Sequence, residues 1–175
     1  MSMVIPPKHR DGDLGVLSPL KLDKNQCKDI IALHKDSQNV HKTAKIQSDG
    51  SNVVNLETRD TDVWVIHENH SWVDAILCTA ALTANHTFEL NLSGLMERPQ
   101  LLRYKAPSNG YNWHTDIGRG DASNRKISLS IILNDDYEGG ELAFFINGEQ
   151  SISPEVGDAV AFPSFLPHRV TPLTK

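Results

Sequence analysis

A chain of 175 residues with 39% apolar content is long enough for one domain with a substantial core and too short for two comfortable ones. The formal net charge of -5 argues against a nucleic-acid surface, which would cluster Lys and Arg against phosphate. The most apolar stretch, Ala75 to Leu82, falls far short of the ~20 residues that span a bilayer, and the opening "MSMVIPPKHRDGDLG" lacks the continuous apolar core of a secretory signal, so neither membrane anchoring nor export is expected.

In "KNQCKDIIALHK", Lys24 to Lys35, Cys27, Ile30 and Ile31 follow helical spacing, and Asp23 is placed to cap the segment, which predicts a first helix. Asn39 to Ser51 is polar and aperiodic and reads as a loop. It leads into "NVVNLETRDTDVWVI", where Val63 and Val65 alternate with Asp62 and Trp64 in a strand pattern. Asn69 to Thr83 carries Trp72, Ile76, Ala80 and Thr83 at helical spacing, with Val73, Leu77 and Ala81 alongside; this second helix should lay its apolar side on a sheet. Cys27 and Cys78 fall on the two helices, lack the close spacing of a zinc or redox motif, and read as reduced, buried thiols of an intracellular protein.

From Leu101 onward the pattern changes to short β-type runs punctuated by turn residues: "LLRYKAP", "GYNWHTDIG", "KISLSIIL", "ELAFFI", "QSISPEV", "AVAFPS" and "FLPHRVTPLT". Helices only beforehand and no strand-helix alternation argue against a doubly wound parallel sheet, and a barrel or sandwich fronted by helices is expected. Residues 1–100 then form a helical and strand support region, and residues 101–175 the β core, of a single domain spanning 1–175.

Side chains two apart on a strand share a face, so "YNWHTDIG" places His114 and Asp116 toward one cavity with Thr115 turned away. His168 of "FLPHRV" is remote in sequence but opens a later strand that closure of the sheets would bring alongside. Two imidazoles and one carboxylate on one face of an ion are the donor set of non-haem Fe(II) oxygenases, which keeps three octahedral positions open. A structural zinc would favour a closed, thiolate-rich set, and neither cysteine is near. On residue types alone the pair also describes a strand with a surface histidine and a turn aspartate, and the same three ligands plus water describe a zinc hydrolase with Glu138 or Glu141 as base.

Four segments, "LLRYKAPSNGYNWHTD", "RKISLSIILNDDYEGGEL", "VGDAVAFPS" and "PHRVTPLTK", resemble in order and spacing the 2-oxoglutarate and Fe(II)-dependent dioxygenases. Within them the resemblance is to the prolyl 4-hydroxylase branch that includes the PKHD-type hydroxylases. It implies a mainly β fold with flanking helices, the double-stranded β-helix or jelly roll, and iron ligands His114, Asp116 and His168. It also implies Tyr104 as partner of the distal carboxylate of the cosubstrate 2-oxoglutarate, and Tyr111 and Arg125 as substrate-side residues. Gly139 and Gly140 are expected to serve a tight turn.

The implied reaction consumes dioxygen and 2-oxoglutarate and hydroxylates a prolyl residue in a peptide or protein, or a small amino-acid substrate; the carboxylate at Asp116 favours hydroxylation over halogenation. The family carries an Arg or Lys about ten residues past the second histidine on a last strand. Lys175 stands seven past His168 (175 minus 168), so that strand and its cation are expected to lie outside this sequence, and the alternative of a non-catalytic metal- or protein-binding module on the same fold stays open.

Overall fold

The first helix, α1 (Lys24–Ala32), starts where Asp23 accepts hydrogen bonds from the backbone N–H groups of Asn25 and Gln26, at 2.8 and 2.9 Å, while the Gln26 side chain accepts from the Asp23 N–H at 2.9 Å. This reciprocal capping satisfies donors that a helix start leaves open and contributes about 1 kcal/mol. A single 3-10 turn, Leu33–Lys35, completes the predicted segment. The computed structural model describes residues 15–43, 46–48, 51–53 and 61–175. The opening fourteen residues, and residues 54–60 of the "NVVNLETRD" run, lie outside the described residues.

Preceding α1 is β1 (Leu17–Lys21); following it are β2 (Val40–Thr43), β3 (Ile46–Ser48), β4 (Ser51–Val53) and β5 (Asp62–Val65). The loop expected over Asn39 to Ser51 is therefore corrected: Val40–Thr43 pairs antiparallel with β5, and Ile46–Ser48 with β4. Polar side chains hid β2 because it lies at a sheet edge, where pairing comes from the backbone and little from burial. Next comes α2 (Ser71–Phe88), which runs beyond the expected Thr83. Its buried stripe is Val73, Ala80, Ala84 and Phe88, whereas Trp72 is exposed. Cys27 is buried in α1, but Cys78 on α2 is only half-buried, a correction to the expected pair of buried thiols; both are free.

All seven β-type runs of the C-terminal part are strands: β6 (Gln100–Arg103), β7 (Tyr111–His114), β8 (Ile127–Ile131), β9 (Leu142–Phe145), β10 (Glu149–Ile152), β11 (Asp158–Pro163) and β12 (His168–Val170). They build a three-stranded sheet ordered β1-β11-β8 and a four-stranded one ordered β10-β9-β12-β7, while β6 joins β5 and β2 in a third. The crossing connections between the first two sheets are those of a jelly roll.

Residues on β11 alternate by size. Val160 and Phe162 point into the core with Leu142, Phe144 and Leu166, whereas Ala161 meets Ala84 and Phe88 of α2. Small residues on that face let the helix seat closely, and the large ones fill the space between the sheets. A further core of Leu22, Cys27, Ile30, Leu33, Trp64, Ile66, Val73 and Leu101 joins α1 to β5 and β6. No helix among the described residues is long and apolar enough to cross a membrane.

Candidate metal centre

Strands β7 and β12 run antiparallel with His114 directly opposite His168. Neighbouring strands thus hold the two imidazoles side by side, with ring centroids 4.1 Å apart. Beneath them lies the core: Phe162 meets the His168 ring edge-on at 4.6 Å and Phe144 packs at 6.1 Å. His168 is buried, at 5% exposure.

Each ring is oriented by a main-chain carbonyl two residues earlier. His114 Nδ1 lies 2.7 Å from the Asn112 carbonyl oxygen, and His168 Nδ1 lies 2.9 Å from that of Leu166. A carbonyl only accepts, so Nδ1 carries the proton in both rings and Nε2 keeps its lone pair. The two Nε2 atoms face one carboxylate: His114 Nε2 is 3.8 Å from Asp116 Oδ1, and His168 Nε2 is 3.6 Å from Asp116 Oδ2.

Asp116 reaches this point differently from the expectation. Strand β7 ends at His114, so the aspartate does not share a strand with the histidine. The backbone turns there because the N–H groups of Asp116 and Ile117 both donate to the Ser164 carbonyl, at 2.9 and 3.1 Å, just past β11. Arg125 Nη1 donates to the Asp116 carbonyl at 2.8 Å, and the Ser128 hydroxyl donates to Asp116 Oδ2 at 2.5 Å. Ser164 Oγ lies 3.0 Å behind Ser128 Oγ.

One ligand atom from each of His114, Asp116 and His168 lies within 4.8 Å of the others, and among the described residues they are the group of three such side chains able to share an ion. Donors about 2.1 Å from a common ion sit about 3 to 4 Å apart, so little movement is needed. Pre-set Nε2 lone pairs with an anionic oxygen suit a divalent metal of intermediate hardness, Fe(II) included.

Around this group, the Tyr111 ring stacks on His114 with centroids 3.5 Å apart and planes at 20°. Arg125 joins the site through the Asp116 carbonyl, and its other terminal nitrogen pairs with Glu97. Tyr104 follows β6 directly and is half-buried. Gly139 and Gly140 have φ of 80° and 68° and pair with the segment after β12, Gly139 bridging to Leu173 and the Gly140 N–H donating to the Pro172 carbonyl at 3.1 Å. Lys175 Nζ pairs with Glu138 Oε1 at 3.1 Å on the surface. Sequence reasoning did not single out Ser128 or Ser164. A signal was present in "ISLSI": Ile127 and Leu129 pack toward α2, so the alternating Ser128 and Ser130 occupy the opposite, interior face.

The family model for the 2OG-Fe(II) oxygenase superfamily matches residues 99–175, the stretch that contains all three donors. That stretch is similar to the members of the superfamily. Curated relatives of this chain include PKHD-type hydroxylases of Picosynechococcus sp., 34% identical over 98 residues, and of Polaromonas sp., 36% identical over 86 residues. These matches cover 54% and 44% of this chain and only 45% and 38% of the relatives, so the match spans less than half of their length.

Among solved structures, a Pseudomonas putida prolyl-4-hydroxylase superposes with a TM-score of 0.64 at 18% identity, covering 92% of this chain and 86% of that one. A Trichoplax adhaerens prolyl hydroxylase, in complex with a hypoxia inducible factor peptide fragment, superposes with a TM-score of 0.68 at 16% identity, covering 91% and 77%. Residues 99–175 and the elements before them therefore share the fold of these structures.

Proposed function

We propose that the protein is a 2-oxoglutarate- and Fe(II)-dependent dioxygenase that hydroxylates a prolyl residue or a related amino-acid substrate. The observation that carries this is the convergence of His114 Nε2, His168 Nε2 and the Asp116 carboxylate, with each imidazole already locked in its metal-binding tautomer. His114, Asp116 and His168 would hold the iron. When bound, the iron and 2-oxoglutarate supply the oxidising power that carries one oxygen atom from dioxygen to substrate, with release of succinate and carbon dioxide.

The chain's own residues orient and exclude. Phe144 and Phe162 close the interior side against water, and the Tyr111 stack restrains the His114 ring. The Tyr104 hydroxyl is assigned to the distal carboxylate of 2-oxoglutarate, and Tyr111 and Arg125 to the substrate side, where a substrate carboxylate would compete with Glu97 for the guanidinium. Exposed Ile117 and Phe165 flank the junction of Asp116 with Ser164 and offer an apolar rim to a proline ring and its peptide neighbours. The peptide-bound Trichoplax neighbour supports that substrate class. A zinc hydrolase gains no support, because Glu138 pairs with Lys175 and neither Glu138 nor Glu141 joins the three-donor group.

The test is anaerobic loading with Fe(II), then addition of oxygen, 2-oxoglutarate and proline-containing peptides, reading succinate and the mass gain of one oxygen atom on the peptide. Succinate formation that His114→Ala abolishes is expected. Iron uptake with no 2-oxoglutarate consumption would overturn the assignment, as would full turnover by His114→Ala.

A further inference from the structure

Besides the Arg125 bond to its carbonyl, Asp116 is held by two serines, both on or beside the sheet that does not carry the histidines. Its backbone N–H donates to the Ser164 carbonyl at 2.9 Å, and its Oδ2 accepts from Ser128 at 2.5 Å. Ser128 lies on β8, and Ser164 directly follows β11, strands paired to each other through Phe162 opposite Ser128 and Pro163 opposite Ile127. Ser164 is 1% exposed, and its own N–H donates to the Lys126 carbonyl at 3.0 Å.

A hydroxyl has one proton and a carboxylate can only accept, which sets the direction of the chain. Ser128 gives its proton to Asp116, so Ser164 gives its own to Ser128 across 3.0 Å. A 2.5 Å contact is the length of a charge-assisted hydroxyl-carboxylate bond. Such a bond occupies one oxygen of the carboxylate and leaves the other as the better metal donor.

We propose that Ser128, braced by Ser164, is a positioning residue that holds Asp116 to coordination through Oδ1 alone. This rests on the reading that the three-donor group binds a divalent metal. A carboxylate that rotated to chelate through both oxygens would fill a second coordination position, one that an oxygenase must keep open for cosubstrate and dioxygen. The serine pair also ties the metal centre to the β1-β11-β8 sheet, while the histidines tie it to the other.

Co(II) is the probe, since its visible absorption reports coordination number and its uptake can be titrated without turnover. Ser128→Ala should weaken Co(II) binding about 10- to 100-fold and alter the absorption bands, whereas Ser128→Thr, which keeps the hydroxyl, should return both to near wild type. Ser164→Ala should give a smaller loss in the same direction. Circular dichroism of the metal-free variants checks that each is folded. Wild-type affinity and spectrum in a folded Ser128→Ala overturn the proposal, as does failure of a folded Ser128→Thr to restore them. Absence of Co(II) and Fe(II) uptake by the wild-type chain overturns the underlying reading of the site instead.

Discussion

Asp116 and Asp62 both have carboxylates held by fixed donors, yet the charge of those donors differs. Asp116 meets the neutral Ser128 hydroxyl, while the nearby Arg125 guanidinium is directed to its backbone carbonyl, so the negative charge stays available to a cation. Asp62 on β5 instead faces its cross-strand partner Arg103, whose Nε and Nη2 donate to Oδ2 at 3.1 and 2.6 Å, with His41 Nε2 3.3 Å from Oδ1. The Arg103 bond, with a smaller contribution from His41, holds the Asp62 carboxyl below its ordinary range. A depressed carboxyl contributes stability that is complete above the unfolded pKa of about 3.9 and disappears as pH falls through the lower folded value. The pair is part-exposed, so the contribution is at most about 1 kcal/mol. Arg103→Gln should move the Asp62 midpoint upward in an NMR titration and lower stability at neutral pH, with the difference from wild type shrinking in strong acid to what the pH-independent Arg103–Trp64 stacking contributes. An unmoved midpoint would show that Arg103 is not the cause.

Among elements, the segment after β12 is held by contacts that leave no room for a side chain. A Cβ on Gly139, at φ 80°, would stand 2.1 Å from the Pro172 carbonyl oxygen, and one on Gly110, at φ 71°, 2.3 Å from that of Val170. Leu173 exchanges backbone hydrogen bonds with Ser108 at 3.1 and 2.9 Å, so the segment also fastens the approach to β7. Gly139→Ala should therefore destabilise by about 2 kcal/mol or more in chemical denaturation and weaken metal binding, because it displaces the chain leaving His168. A loss under about 0.5 kcal/mol, the ordinary range for surface changes, would contradict the close approach. The strands on either side of these glycines were legible from alternation and turn residues, and α1 from its cap. β1 was not: Pro19 interrupts its pattern, and its register slips between Leu17 and Leu20, which an edge strand tolerates. Nor was the end of α2, where Ala84 and Phe88 carry the buried stripe past the point at which polar neighbours broke the apparent periodicity.

Across the whole molecule, the three donors were legible because their residue types recur in one chemistry, but the route by which Asp116 arrives was not. Strand alternation accounts for His114, whereas Asp116 is aimed by Ser164 and Ser128, partners remote in the chain that local pattern cannot reveal. The consequence is mechanical. Both histidines belong to the β10-β9-β12-β7 sheet, and the aspartate is anchored to the β1-β11-β8 sheet, so a bound ion cross-links the two layers of the jelly roll. A ligand that binds only the folded state at one hundred times its Kd stabilises by about 2.7 kcal/mol, which for a chain of this size raises the Tm by about 5 to 10 °C. Calorimetry with saturating Co(II) should show that rise, and chelation should reverse it. Hydrogen exchange should place the added protection at β7, β12 and residues 116–117, leaving the core between α1 and β5 nearly unchanged. Protection confined to the histidine strands would mean that the ion is held by one sheet and that the aspartate does not join the layers, whereas metal uptake without any rise in Tm would mean that the unfolded chain binds the ion as well as the folded one does.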